Sequence, residues 1–70
     1  MKYAVVYEKA PSNFSAYVPD LPGCVATGAT REEVGRNIRE AIVFHIDGMR
    51  LEHLSIPEPS AWSETVEVSG

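Results

Sequence analysis

Apolar and polar residues alternate with a period of two in two short runs near the start of the chain. Residues 2–9 and residues 14–18 both follow this pattern and are rich in β-branched and aromatic side chains, as half-buried strands are. Residues 10–13 between them read Ala-Pro-Ser-Asn, a composition typical of turns. The pattern therefore predicts an antiparallel hairpin. Because the first run carries apolar residues on both faces, it favours a strand covered on both sides, inside a sheet.

A stiff corner follows the hairpin and leads into a third short strand. Residues 19–23 read Pro-Asp-Leu-Pro-Gly. The two prolines donate no backbone hydrogen bond, and Gly23 allows a positive φ. We expect Leu21 to be held in the core while its neighbours turn. Residues 24–27 then resume the composition of a strand.

The period then changes to that of a helix, which the sequence predicts over residues 31–51. Thr30 is followed three positions later by Glu33, which is a capping-box signature, and acidic residues suit the first turn of a helix. Apolar side chains at helical spacing define the face expected to pack on the sheet. They are Val34, Ile38, Ala41, Ile42, His45, Ile46 and Met49.

The chain after the helix is predicted to be extended. Residues 54–59 contain two prolines and are expected to form a link anchored by Ile56, and residues 64–68 have the composition of a last strand. The element order is then β-β-β-α-β in a single domain over residues 1–70. This is an α+β fold, a small antiparallel sheet with one main helix packed on it.

The length of 70 residues limits how much core the chain can bury. Domains of this size bury only about 60% of the surface that their unfolded chains expose, so they usually need a disulfide, a metal or a partner. A single cysteine excludes an internal disulfide, and the two histidines are not spaced as a metal pair. We therefore expect self-association, as a dimer or tetramer.

The charged residues are unevenly distributed along the chain. Five of the six Lys and Arg residues precede Glu40, whereas six of the ten Asp and Glu residues lie from Glu40 onward. The acidic second half is either a solvated surface or one that attracts a basic partner. The net charge of −4 argues against non-specific binding of nucleic acid. With no visible signal peptide or membrane span, we expect a cytoplasmic protein.

Three side chains with reactive or ligating groups have ordinary structural interpretations. Cys24 has no histidine placed beside it by spacing, so it is predicted to be a small buried turn residue rather than a nucleophile. His45 lies on the apolar helix face, where we expect a hydrogen-bonded core histidine. His53 follows the helix and is expected to be solvated.

Three carboxylates leave a metal site open as an alternative. Glu8 ends the first strand, Asp20 lies in the corner and Glu40 lies on the helix. If they converged, they would supply the oxygen ligands of a metal-dependent nuclease. Nothing in their spacing requires this, and the favoured prediction is a chain without enzymatic activity, cofactor or metal.

Two apolar residues, Val43 and Phe44, fall outside the apolar helix face. Either a later segment of the chain covers them, or they are exposed and form an apolar patch with acidic residues at its rim, which would mark a protein interface. We therefore take Glu40, Val43, Phe44 and Asp47 as candidate residues for a partner or self-association interface.

The sequence resembles the HicB-type antitoxins from Met1 to about Ser60. Its most specific shared elements are FSAYVPDLPGC at residues 14–24, Thr-x-Glu-Glu at residues 30–33 and Ile-Pro-x-Pro at residues 56–59. The resemblance implies a partial, degenerate ribonuclease-H-like fold.

The same resemblance implies a function and a partner. Such domains bind a small basic toxin of the HicA type, which cleaves mRNA, and block it. Family members commonly carry a C-terminal DNA-binding segment, which is not visible in these 70 residues, so we expect no direct binding of nucleic acid by them. The alternatives are the remnant metal nuclease and an oligomeric protein-interaction domain without a toxin.

Overall fold

The computed structural model describes residues 1–70 and contains three strands followed by one helix. The predicted bounds of the helix, 31–51, are confirmed, and the strands are each four residues long. The elements are β1 Val6–Lys9, β2 Phe14–Tyr17, β3 Val25–Gly28 and α1 Arg31–Leu51.

The three strands form one antiparallel sheet in the order β1-β2-β3. Tyr7 of β1 pairs with Ala16 of β2, and Ala16 pairs with Ala26 of β3. The helix packs against β2 and β3, which confirms the α+β fold with one helix on a small sheet. The expectation that the first strand lies inside the sheet is wrong, because no strand flanks β1 on its outer side.

The predicted last strand, residues 64–68, does not form. These residues belong to no strand, and residues 62–70 are all exposed. A strand needs a neighbouring edge for its backbone hydrogen bonds, and within this chain the segment leaves the sheet instead of lying beside it. The molecule is accordingly elongated, with extents of 49 × 26 × 15 Å.

Six buried apolar residues form the core between the sheet and the helix. Leu21 and Ile38 are fully buried, and Leu21 is held as expected by the corner around it, where its N–H donates to the Val18 carbonyl at 3.0 Å. The Cys24 N–H donates in turn to the Leu21 carbonyl at 3.0 Å. The complete set is Ala16, Val18, Leu21, Cys24, Val34 and Ile38.

The backbone is tightly packed at the junction of β3 and α1. A Cβ placed on Gly28 would lie 2.6 Å from the backbone nitrogen of Val34, so only glycine fits there. The helix begins as the capping box predicts, with the Glu33 N–H donating to Thr30 Oγ1 at 3.1 Å. Glu33 Oε1 accepts from the Ala29 N–H at 3.0 Å, one residue before the position that the motif usually uses.

The second half of α1 is less covered than the first half. Val34 and Ile38 are buried, whereas the later members of the apolar face, from Ala41 to Met49, are half-buried. The helix ends in a Schellman motif, in which the Leu54 N–H donates to the Met49 carbonyl at 2.9 Å. His53 takes the left-handed position of this motif with φ 57°.

Candidate functional site

The four candidate interface residues lie on one exposed side of α1. Glu40, Val43, Phe44 and Asp47 follow the i, i+3, i+4, i+7 spacing that places side chains on one face of a helix. All four line one shallow groove. Val43 is 60% exposed and Phe44 is 82% exposed. Neither is covered by a later segment of the chain, so of the two alternatives drawn from the sequence the structure supports exposure.

The Phe44 ring stands between two grooves. One is the groove that it shares with Val43, and the other is lined on the opposite side by Gly48, Met49 and Leu54, among others. A large exposed aromatic with apolar neighbours on both sides is an unusual feature of a free surface and is frequent at the centre of protein interfaces.

Carboxylates border this apolar centre. Asp47 lies 4.0 Å from the guanidinium of Arg50, and both side chains are largely exposed, so this pair contributes little to stability. Glu40 forms no ion pair. Arg39 lines the same groove, so the rim carries charges of both signs.

The carboxylates considered for a metal site do not come together. No group of three or more His, Cys, Asp or Glu side chains is arranged to hold a metal ion. Asp20 instead holds the segment after the helix, residues 54–70, which we call the tail. Its carboxylate accepts hydrogen bonds from the backbone N–H groups of Ser60 at 2.9 Å and Ala61 at 3.0 Å, and from the Ser60 hydroxyl at 2.7 Å. These three donors hold the pKa of Asp20 below its ordinary value, the Ala61 N–H having the largest effect.

The cysteine and the two histidines show no arrangement that would make them reactive. Cys24 is buried, as predicted, and burial raises the pKa of its thiol, which keeps it protonated and unreactive at neutral pH. His45 is half-buried and makes no hydrogen bond, so the expectation of a hydrogen-bonded core histidine is wrong. Glu52 lines the same groove as His45, but no hydrogen bond joins the two side chains. His53 is exposed, as expected.

Two features of the surface were missed by the sequence analysis. Arg31, Arg36 and Arg39 line a groove between α1 and β1 together with Tyr7, and none of them forms an ion pair. The i, i+3 spacing of Arg36 and Arg39 could have indicated that these two lie near each other on the helix, whereas the i, i+5 spacing of Arg31 and Arg36 gives no such signal. The second feature is Trp62, which is 83% exposed on the tail and gave no periodic signal.

Comparison with known proteins identifies the family. Residues 3–69 match the family model described as "HicB_like antitoxin of bacterial toxin-antitoxin system", which is nearly the whole chain. The chain belongs to the HicB-like antitoxin family. The resemblance seen in the sequence is thereby confirmed.

Relatives of this HicB-like chain occur in a phage and in cellular organisms. An uncharacterized 14.9 kDa protein of Haemophilus phage HP1 is 40% identical over 58 residues, which are 83% of this chain and 44% of the phage protein. The chain thus spans under half the length of that relative. A UPF0150 protein of Thermoplasma acidophilum is 37% identical over 67 residues, covering 94% of this chain and 97% of the relative.

A solved structure shares the HicB-like fold. A chain of the "HicA3 and HicB3 toxin-antitoxin complex" superposes with a TM-score of 0.72 at 30% sequence identity, covering 84% of this chain and 70% of that one. That neighbour belongs to a complex of a toxin with its antitoxin. No helix of the present chain has the length and apolar character needed to cross a membrane.

Proposed function

We propose that this HicB-like chain is an antitoxin that binds and neutralises a small basic toxin of the HicA type. Family membership supports the antitoxin role, and the solved neighbour comes from a complex of HicA3 with HicB3, which supports a toxin of that type as the partner. Since such toxins cleave mRNA, the proposal places the chain in the cytoplasm and gives it a binding function rather than a catalytic one.

The exposure of Phe44 is the main observation in support of the proposed toxin-binding surface. An aromatic side chain that is 82% exposed gains a large apolar area of contact when a partner covers it. Val43 extends the apolar centre, and at the rim, beside Arg39, Glu40 and Asp47 offer carboxylates to the basic side chains of the toxin. A basic surface that evolved to bind RNA would meet these carboxylates first, and the docked helix would then exclude RNA from it.

The alternative of a remnant metal nuclease has less support. Its three carboxylates are separated in the fold, and both oxygens of Asp20 are engaged by Ser60 and Ala61. No specific arrangement of side chains favours hydrolysis of a phosphodiester, whereas the exposed helix face favours binding.

The proposal is tested by inhibition of RNA cleavage. A HicA-type toxin encoded in the same genome is purified and incubated with RNA and increasing amounts of this chain. Cleavage should stop near one equivalent of the chain. Phe44→Glu should raise the required concentration at least about tenfold, a change of about 1.4 kcal/mol in binding, while Val25→Glu, at an apolar position of the sheet that is also largely exposed, should act as wild type.

Two outcomes would contradict the proposal. Undiminished cleavage at a large excess of folded wild-type chain would exclude neutralisation of that class of toxin. Equal inhibition by wild type and Phe44→Glu would leave an antitoxin but move the interface away from α1. Circular dichroism of each variant establishes that it is folded.

The acidic rim gives a second, kinetic test. Glu40→Lys with Asp47→Lys should slow association with the basic toxin by about tenfold at low salt, and the difference should shrink as ionic strength rises. Glu8→Lys, the same type of charge reversal at an exposed strand position outside the groove, is the control. An association rate that is independent of both salt and the rim variants would remove the electrostatic part of the proposal.

A further inference from the structure

A second groove lies on the C-terminal half of α1, on the side of the Phe44 ring away from Val43. It has a volume of about 370 Å³. The groove is open because the two buried residues of the helix, Val34 and Ile38, both belong to its first half. We call it the Gly48 groove, and it is lined by Phe44, His45, Gly48, Met49, Glu52 and Leu54.

Gly48 makes a notch in the surface of α1. Phe44, Gly48 and Glu52 follow one another at intervals of four residues, so they form one row along the helix. A Cβ placed on Gly48 would have nothing within 4 Å. Glycine inside a helix lowers its stability relative to alanine, and no contact within the chain accounts for a glycine here. The helix backbone is therefore accessible between the Phe44 ring and the Glu52 carboxylate.

The other glycine of α1 has a neighbour within the chain. A Cβ placed on Gly35 would lie 4.0 Å from the hydroxyl oxygen of Tyr7, which is an ordinary van der Waals contact. Gly35 is half-buried, whereas Gly48 is exposed. The chain itself thus borders the space over Gly35, and the space over Gly48 is left open to a group from outside the chain.

The Gly48 groove contains a carboxylate without a basic neighbour. No lysine or arginine lines the groove, and Glu52 is exposed and forms no ion pair. Arg50 pairs instead with Asp47, and its position two residues after Gly48 places it nearly opposite Gly48 around the helix. The other polar side chain of the lining, His45, makes no hydrogen bond with Glu52. The charge of Glu52 is therefore available to a cation from outside.

An arginine side chain has the chemistry that this groove requires. Its apolar stem suits the surface of Met49 and Leu54. Its planar guanidinium stacks on aromatic rings and pairs with carboxylates, which here are those of Phe44 and Glu52. A lysine ammonium lacks the planar face for stacking, and a wholly apolar side chain would cover the Glu52 carboxylate without pairing it.

We propose that the Gly48 groove receives an arginine side chain of the toxin. The stem of that arginine lies over Gly48, and its guanidinium lies between the Phe44 ring and the Glu52 carboxylate. This inference rests on the proposed function, which brings a basic protein to the same side of α1, and it adds the chemistry by which that protein is held. Gly48 then serves binding, because only a residue without a side chain lets the stem reach the helix backbone.

The first test compares the two helix glycines by titration calorimetry with a HicA-type toxin from the same genome. Gly48→Ala should weaken toxin binding at least about fivefold, because the added methyl group occupies the notch. Gly35→Ala, the matched control, should bind as wild type does. Both variants gain helix propensity, so a loss of affinity in Gly48→Ala alone does not arise from damage to the fold. Equal affinities of the two variants would overturn the proposal.

The second test separates an arginine from an apolar side chain as the occupant of the groove. Glu52→Gln should weaken toxin binding about tenfold, because it removes the partner of the guanidinium, whereas Glu58→Gln on the tail should have no effect. Phe44→Tyr keeps the aromatic face and should bind as wild type, while Phe44→Leu should bind more weakly. Wild-type affinity in both Glu52→Gln and Phe44→Leu would indicate an apolar occupant and would overturn the proposal.

Replacing the arginines of the toxin by lysine, one at a time, identifies the partner of Glu52. One of these toxin variants should bind the wild-type chain about tenfold more weakly than the unchanged toxin does. The same toxin variant should lose much less affinity for Glu52→Gln, because that chain has already lost the pairing. If no arginine of the toxin shows this coupling, the assignment of the groove is wrong.

These measurements distinguish failure of the arginine site from failure of the proposed function. A wild-type chain that does not bind the toxin overturns both. Binding that is lost in Phe44→Glu but retained in Gly48→Ala and Glu52→Gln overturns the arginine site alone. Sedimentation velocity of the free chains should give the same mass for wild type and Glu52→Gln. A change of mass in Glu52→Gln would assign the groove to a second copy of the chain and would overturn the proposal.

Discussion

The carboxylate of Asp20 accepts two hydrogen bonds from Ser60, one from its backbone N–H at 2.9 Å and one from its hydroxyl at 2.7 Å. This contact joins a corner of the sheet to a residue 40 positions away. It fixes the point from which the exposed residues 62–70 leave the domain. Most of the side-chain hydrogen bonds that cross from the tail to the sheet converge on this one carboxylate.

Removing the Asp20 carboxylate should release the tail without unfolding the core. Asp20→Ala should speed amide hydrogen exchange at Ser60 and Ala61 by about tenfold, because their N–H groups lose their acceptor, while exchange at Ile38 stays as in wild type. Glu58→Ala, at an exposed neighbouring residue, is the control. Equal protection of Ser60 in wild type and Asp20→Ala would contradict the assigned role.

The tail should also detach at acidic pH. The hydrogen bonds from Ala61 and Ser60 depress the pKa of Asp20 below its ordinary value of 3.8 in the folded state. The attachment is therefore fully present above pH 3.8 and is lost as the pH falls through the lower, folded value. Trp62 is the single tryptophan and follows Ala61 directly, so its fluorescence anisotropy should fall in this range. Asp20→Asn should lack that transition; coincident curves for the two proteins would refute it.

Gly28 and Gly48 should respond in opposite ways to alanine. A Cβ at Gly28 meets the backbone of Val34 at 2.6 Å, and Gly28→Ala should lower the free energy of unfolding by about 1–3 kcal/mol. Gly48 lies in α1 with nothing within 4 Å, and Gly48→Ala should raise it by about 0.5–1 kcal/mol through helix propensity. Urea unfolding measures both. If Gly28→Ala left the free energy of unfolding unchanged, the strand and the helix could move apart at this point without loss of stability.

His53 should be replaceable by glycine with a gain in stability. Its φ of 57° is unfavourable for a side chain with a Cβ and suits glycine at the end of a helix. His53→Gly should raise the free energy of unfolding by about 0.5–1 kcal/mol. Ser55→Gly, in the extended segment that follows, should give no gain. A loss of stability in His53→Gly would indicate a favourable contact of the imidazole.

Two leucines of the chain differ strongly in burial. Leu21 is fully buried and Leu51 is 82% exposed. Leu21→Ala should cost about 2–5 kcal/mol by removing core contacts, which for a domain of this size is a large part of its total stability. Leu51→Ala should change stability by less than about 0.5 kcal/mol. Comparable losses for the two variants would show that Leu51 is covered in solution.

Local signals explain what could be predicted from the sequence. The helix bounds follow from Thr30 and Glu33 at one end and the loss of apolar periodicity at the other, and both signals act within a few residues. The hairpin is local in the same way. Leu21 is recognisable as a core residue because the two prolines and Gly23 around it leave it as the apolar side chain of a rigid corner.

The prediction failed where distant residues had to be matched. Residues 64–68 have the composition of a strand, but composition does not supply the edge with which a strand pairs. Asp20 has the chemistry of a metal ligand, and its partners Ser60 and Ala61 could not be inferred from spacing. The helix spacing placed Val43 and Phe44 on one side, whereas only the structure showed that no later segment covers them.

All six core residues lie between Ala16 and Ile38. Contacts that are close in sequence form quickly, and a chain is synthesised from its N-terminus. We therefore expect the core contacts to form early in folding and the distant contact of Asp20 with Ser60 to form after them. The segment after the helix would then attach to a domain whose core is already in place.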